Sequence, residues 1–118
     1  MHMVMFVLDD PDLLDRVLEA WEAAGATGVT IVESTGIRRR RGVHVPARYA
    51  FGHHGRRIEA GHYTLFAVVG DERQARELLQ AAEAVVGDLG QPDTGILAAW
   101  PLTLVKGLWA EERGSEAA

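Results

Sequence analysis

Met3-Val4-Met5-Phe6-Val7-Leu8-Asp9-Asp10-Pro11-Asp12-Leu13-Leu14 is the stretch from which the plan of this chain can be read. Its apolar run, rich in Val and Phe, is too short for a helix and reads as a buried strand. Asp10 followed by Pro11 is a helix start. An aspartate can accept the orphan amides of a first turn, and proline at the first helical position has no amide to lose. Leu13, Leu14, Val17, Leu18 and Trp21 then recur at helical spacing until Gly25, with Asp12, Asp15, Arg16, Glu19 and Glu22 on the wet side.

The same succession of signals returns later in the chain. Tyr63 to Val69 reads as another strand, Asp71 with Gln74 as a capping box, and Ala75, Leu78, Leu79, Ala82, Val85 and Val86 as the buried stripe of a second helix ending at Gly87. Each half closes with a further strand pattern. Val29 to Ser34 follows the Gly25–Gly28 turn, and Ile96 to Val105 follows a turn containing Gly87, Gly90 and Gly95, with Pro101 marking an edge or a bulge. The order βαβ, long connection, βαβ predicts an α+β fold of the ferredoxin-like βαββαβ type, a four-stranded antiparallel sheet with two helices on one face. In the first strand both alternating sets are apolar, Met3, Met5 and Val7 on one side and Val4, Phe6 and Leu8 on the other. Helices cover only one side, so the open face is expected to pack against other subunits.

Composition narrows the function classes. A chain of 118 residues fits one domain, here 1–109, and the acidic small-residue stretch 110–118 reads as a disordered tail. Cysteine is absent, which removes disulfides, thiolate metal sites and cysteine nucleophiles. No apolar run reaches membrane-spanning length and the first one is too short for a signal peptide, so a cytoplasmic protein without membrane insertion is expected. Nucleophile motifs such as G-x-S-x-G or H-E-x-x-H are missing, and Asp9–Asp10 reads as a strand end and helix cap. A binding protein is expected rather than an enzyme, with no catalytic residue assigned.

Charge is segregated along the chain. Between Gly36 and Gly61 seven arginines (Arg38, Arg39, Arg40, Arg41, Arg48, Arg56, Arg57) face one acid, Glu59, giving +6 within a chain whose total is −5. This stretch has no sustained periodicity, exceeds the usual length of an unstructured connection, and reads as a mobile interaction loop over about 36–61. Arg38 to Arg41 with Tyr49 and Phe51 would also suit a nucleic-acid-binding module, against which stands a pI near 5.5.

Gly25-Ala26-Thr27-Gly28-Val29-Thr30-Ile31-Val32-Glu33-Ser34-Thr35-Gly36-Ile37-Arg38-Arg39-Arg40-Arg41-Gly42 resembles the segment G-I-T-G-M-T-V-x-E-V-x-G-F-G-R-Q-K-G of the nitrogen-regulatory PII signalling proteins. The likeness extends over nearly the whole chain, through the βαβ–loop–βαβ order and a glycine-rich turn before the last strand. It implies a homotrimer that binds an adenyl nucleotide (ADP, AMP or ATP) between subunits as an effector, with no required cofactor. The long loop, called the T-loop in that family, would control a target enzyme or transporter. By position it implies nucleotide contacts at Gly28, Val29 and Thr30, at Gly36, Ile37 and Arg39 at the loop mouth, at Gly90 and Gly95 in the second turn, and at Lys106. Glycine-rich turns suit this task because their backbone amides can approach phosphate oxygens.

The chain also departs from the family pattern. Arg38 replaces the second loop glycine, Arg40 replaces the glutamine that takes part in 2-oxoglutarate binding, and the turn from Gly87 to Gly95 lacks the family's lysine. His44, His53, His54 and His62 fall in or beside the loop and raise the alternative of a metal-binding PII-like protein. Adjacent histidines on an irregular loop define no geometry, and no metal ligand is assigned.

Overall fold

The computed structural model describes residues 1–37 and 58–108. Strand β1 (His2–Leu8) leads through a 3-10 turn (Pro11–Leu13) into helix α1 (Leu14–Ala23), and β2 (Thr30–Ile37) closes the first half. Strand β3 (Ile58–Val69), helix α2 (Glu72–Val86) and strand β4 (Gly95–Pro101) form the second. The strands make one antiparallel sheet in the order β2-β3-β1-β4. This is the expected ferredoxin-like α+β arrangement.

The strand period of two decides which side chains are buried. Val4, Phe6 and Leu8 of β1 are wholly buried, and the register places them beside Ala67, Leu65 and Tyr63 of β3. Val17 and Trp21 of α1 and Ala75, Leu78 and Ala82 of α2 complete this core. The Trp21 indole lies against Phe6 with ring centroids 6.1 Å apart, and its Nε1 donates to the carbonyl of Leu78 at 3.0 Å. That bond joins the two helices inside the core and satisfies a donor that burial would otherwise penalise.

The helix ends follow the cap chemistry, with one difference. Asp10 accepts from the amide of Asp12 at 3.0 Å, and Asp71 accepts from the amide of Gln74 at 2.8 Å. In a full capping box Gln74 would reach the amide of the cap residue. Instead its Oε1 accepts from the amide of Gly70 at 2.8 Å, and its Nε2 donates to the carbonyl of Gly25 at 3.4 Å. Gln74 thereby ties the start of α2 to the turn that ends α1.

Two boundaries differ from the sequence reading. The expected loop loses both its ends to the sheet, because Gly36 pairs with Glu59 and Ile37 with Ile58 beyond a bulge that follows Ser34. Strand β4 stops at Pro101 instead of running to Val105. Pro101 lies opposite His2, the first residue of β1, and the amide of Leu102 adds one last bond to the carbonyl of Met1 at 2.8 Å, beyond which β1 offers no partner. Among the described residues no helix is long and apolar enough to cross a membrane.

Candidate functional site

With both helices on one side, the other face of the sheet carries the second apolar set. Met3, Met5 and Val7 are half-buried there, flanked by Phe66 and Val68 of β3. Toward the β4 edge the same face presents Ile96 and Trp100, 63% and 40% exposed, opposite Val7 and Met3.

At one end of that face lies a cleft of about 370 Å³ lined by Thr27, Gly28, Val29 and Thr30, by Met3, Phe66, Ala67 and Val68, and by Gly107 and Leu108. Its construction follows from the topology. The turn after α1 delivers residues 27–30 to the start of β2, while the segment beyond Pro101 leaves the opposite edge of the sheet and brings residues 107–108 to the same place. The lining combines apolar residues with Thr27 and Thr30. Lys106 adjoins the cleft wall at Gly107 and is exposed.

The residues singled out from the sequence fall into two groups. Gly28, Val29, Thr30 and Lys106 belong to the end of the sheet that carries the cleft. Gly36, Ile37, Gly90 and Gly95 belong to the other end, where β2 terminates and β4 begins. Thr30 and Ile37 are the first and last residues of β2, and at about 3.3 Å per residue the strand separates them by more than 20 Å. One chain therefore does not gather both groups around one small molecule. Arg39, the remainder of the arginine run, Tyr49, His44, His53, His54 and the tail 110–118 lie outside the described residues.

Gly95 has a structural explanation of its own. Its φ is +136°, and a Cβ there would run into the carbonyl oxygen of Val7 and stand 3.1 Å from Cε1 of Phe6. The glycine is required by the approach of β4 to β1. His62 also differs from its expected place beside a loop, since it lies within β3 opposite Ser34, 7% exposed, with Nε2 3.8 Å from Oδ1 of Asp9. Among the described residues no group of three or more His, Asp or Glu is placed to hold a metal ion.

Of the cleft residues, the sequence reading assigned only Gly28, Val29 and Thr30 to a site; it missed Met3, Thr27, Phe66, Ala67 and Val68, and also Gly107 and Leu108. Only the course of the chain after Pro101 brings the last two there, and no local pattern encodes that course. The chain matches no family model, and a search of curated proteins found no match.

Proposed function

We propose that this chain is a PII-like regulatory protein. It binds an adenyl nucleotide as effector between the subunits of a homotrimer and controls a target enzyme or transporter through its basic 36–61 segment. The observation that carries this reading is the cleft at Thr27–Thr30, which opens beside an apolar sheet face that the helices leave uncovered. A second copy seated on that face would bury the apolar side chains and wall the cleft. The division of the expected contact residues between two ends of the sheet supports the same arrangement. Gly36 and Gly90 of one copy can share a ligand with Gly28 and Lys106 only across a subunit boundary.

Two results are expected from solution experiments. Light scattering at micromolar concentration should return the mass of a trimer, and a monomer would remove the assembly on which the site depends. Calorimetric titration with AMP, ADP, ATP, cyclic AMP and bicarbonate should show binding of an adenyl nucleotide. Because a charge-assisted hydrogen bond to phosphate contributes about 1.5–3 kcal/mol, Lys106→Ala should weaken that binding by about one to two decades and leave the fold intact. Unchanged affinity in Lys106→Ala, or no nucleotide binding by the parent, would overturn the reading.

A further inference from the structure

Strand β4 is an edge of the sheet, and among the described residues nothing pairs with its outer side. The bond from the Leu102 amide to the Met1 carbonyl fixes which backbone groups face that side, because facing groups alternate along an antiparallel pair. The amides of Ile96, Ala98 and Trp100 turn toward β1, and the amides and carbonyls of Leu97 and Ala99 turn outward. Sheets commonly guard such an edge with charges, prolines or bulges. Gly95–Pro101 has no charged residue, pairs with β1 in an unbroken register, and carries its one proline at the end.

The side chains of the same residues border a groove on the helix side. Val4 and Phe6, opposite Ala99 and Leu97, are buried in the core, so Leu97, Ala99 and Pro101 share that face. Ala75 and Leu79 of α2 line the facing wall, and the space between is about 400 Å³. An alanine on each wall, Ala75 and Ala99, keeps it open. The two charged residues of the lining, Arg76 and Glu72, pair with each other at 2.6 Å and present no unbalanced charge. His2, opposite Pro101, closes one end, and its Nδ1 is buried without a hydrogen-bond partner. We propose that the β4 edge and this groove bind an extended peptide of another protein, uncharged and apolar at alternate positions, with a serine or threonine beside His2.

An added strand pairs with the free amides and carbonyls of Leu97 and Ala99, which gives affinity, while the groove selects its side chains. The strand period of two sends every other side chain toward α2, where the balanced Arg76–Glu72 pair favours uncharged residues. A hydroxyl can donate to Nδ1 or accept from it, so it suits either tautomer of the His2 ring. The groove shares no lining residue with the cleft at Thr27–Thr30 and does not rest on nucleotide binding there.

Fluorescence anisotropy of the full chain with a capped, labelled peptide Val-Thr-Val-Thr-Thr tests this. The peptide should bind saturably. N-methylation of one alternate set of its amides should weaken binding by about tenfold, the loss expected for two backbone hydrogen bonds, and methylation of the other set should change it by less than about twofold. Ala99→Phe, at an exposed position, fills the groove and should also weaken binding by about tenfold. His2→Ala should remove the preference for threonine over valine at the last peptide position. The proposal is overturned if the parent does not bind the peptide, which is also the result expected if a second copy seals the edge. It is equally overturned if the two methylated peptides bind alike, if Ala99→Phe binds as the parent does, or if the threonine preference survives in His2→Ala. The methylation comparison uses the parent chain alone, so it decides the question even where a variant fails to fold.

Discussion

Trp21→Ala should destabilise the protein by about 3–5 kcal/mol, the range for truncating a large aromatic side chain in a packed core. The indole is wholly buried and touches elements from three parts of the chain: its own helix, Phe6 of β1 and the Leu78 carbonyl of α2. Truncation leaves a cavity between the helix layer and the central strand, and it removes the hydrogen bond that joins the two helices. A domain of this size has a total stability on the order of 5–15 kcal/mol, so the variant should be largely unfolded at modest denaturant concentrations. Trp21→Phe keeps most of the packing and loses the Nε1 donor, and its cost should be clearly smaller. Urea unfolding followed by far-ultraviolet circular dichroism measures both. A loss below about 1 kcal/mol for the alanine variant would mean that the core does not depend on this contact.

Gly95→Ala should be the most damaging replacement among the described glycines, at about 3 kcal/mol or more, while Gly90→Ala should cost less than about 1 kcal/mol. Gly90 lies in the turn before β4 and Gly95 is the first residue of β4, and the resemblance implies a nucleotide contact at both. The structure separates them. At Gly95 the positive φ strains any L side chain, and the new methyl group meets the Val7 backbone, which cannot withdraw without breaking the first β1–β4 rung. At Gly90 the nearest atom to a new Cβ is the Asp88 carboxylate oxygen at 3.2 Å, the end of a flexible side chain. Thermal unfolding of the two variants beside the parent gives the comparison. Equal stabilities would show that the β4 approach is looser than described, and any effect of Gly95 on ligand binding must be corrected for its effect on folding.

The elements could be read from the sequence wherever burial repeats at a fixed period. Val4, Phe6 and Leu8 alternate into the core as a strand requires, and Ala75, Leu78 and Ala82 follow the helical spacing of α2. The beginning of β3 could not be read that way. Glu59-Ala60-Gly61-His62 has no apolar alternation, and its strand conformation comes from pairing with Gly36 and Ser34 on either side of the bulge. The end of β4 misleads in the opposite sense, because Leu102, Leu104 and Val105 continue the apolar pattern while the ladder ends where β4 passes the first residue of β1. The site is less legible still. A motif marks residues 28–30, but their cleft depends on where residues 107–108 return. His62 looked like one more histidine beside a basic loop until the sheet placed it next to Asp9.

The strand order also has a kinetic consequence. Strand β1 is made first but lies in the interior of the sheet, so Met5 must wait for Phe66 on one side and Ala98 on the other before its backbone groups are paired. Until then a continuous apolar strand, sticky on both faces, is without its neighbours. Pairings so distant along the chain require closure entropy to be overcome before any contact repays it, which places such folds among the slower small domains and lengthens the time an unpaired edge is exposed. The α1 residues that pack on β1 are close to it in sequence, and Trp21 against Phe6 is a contact that can form early. The side chain that anchors the finished core is thus also positioned to shield one face of β1 while the rest of the sheet assembles.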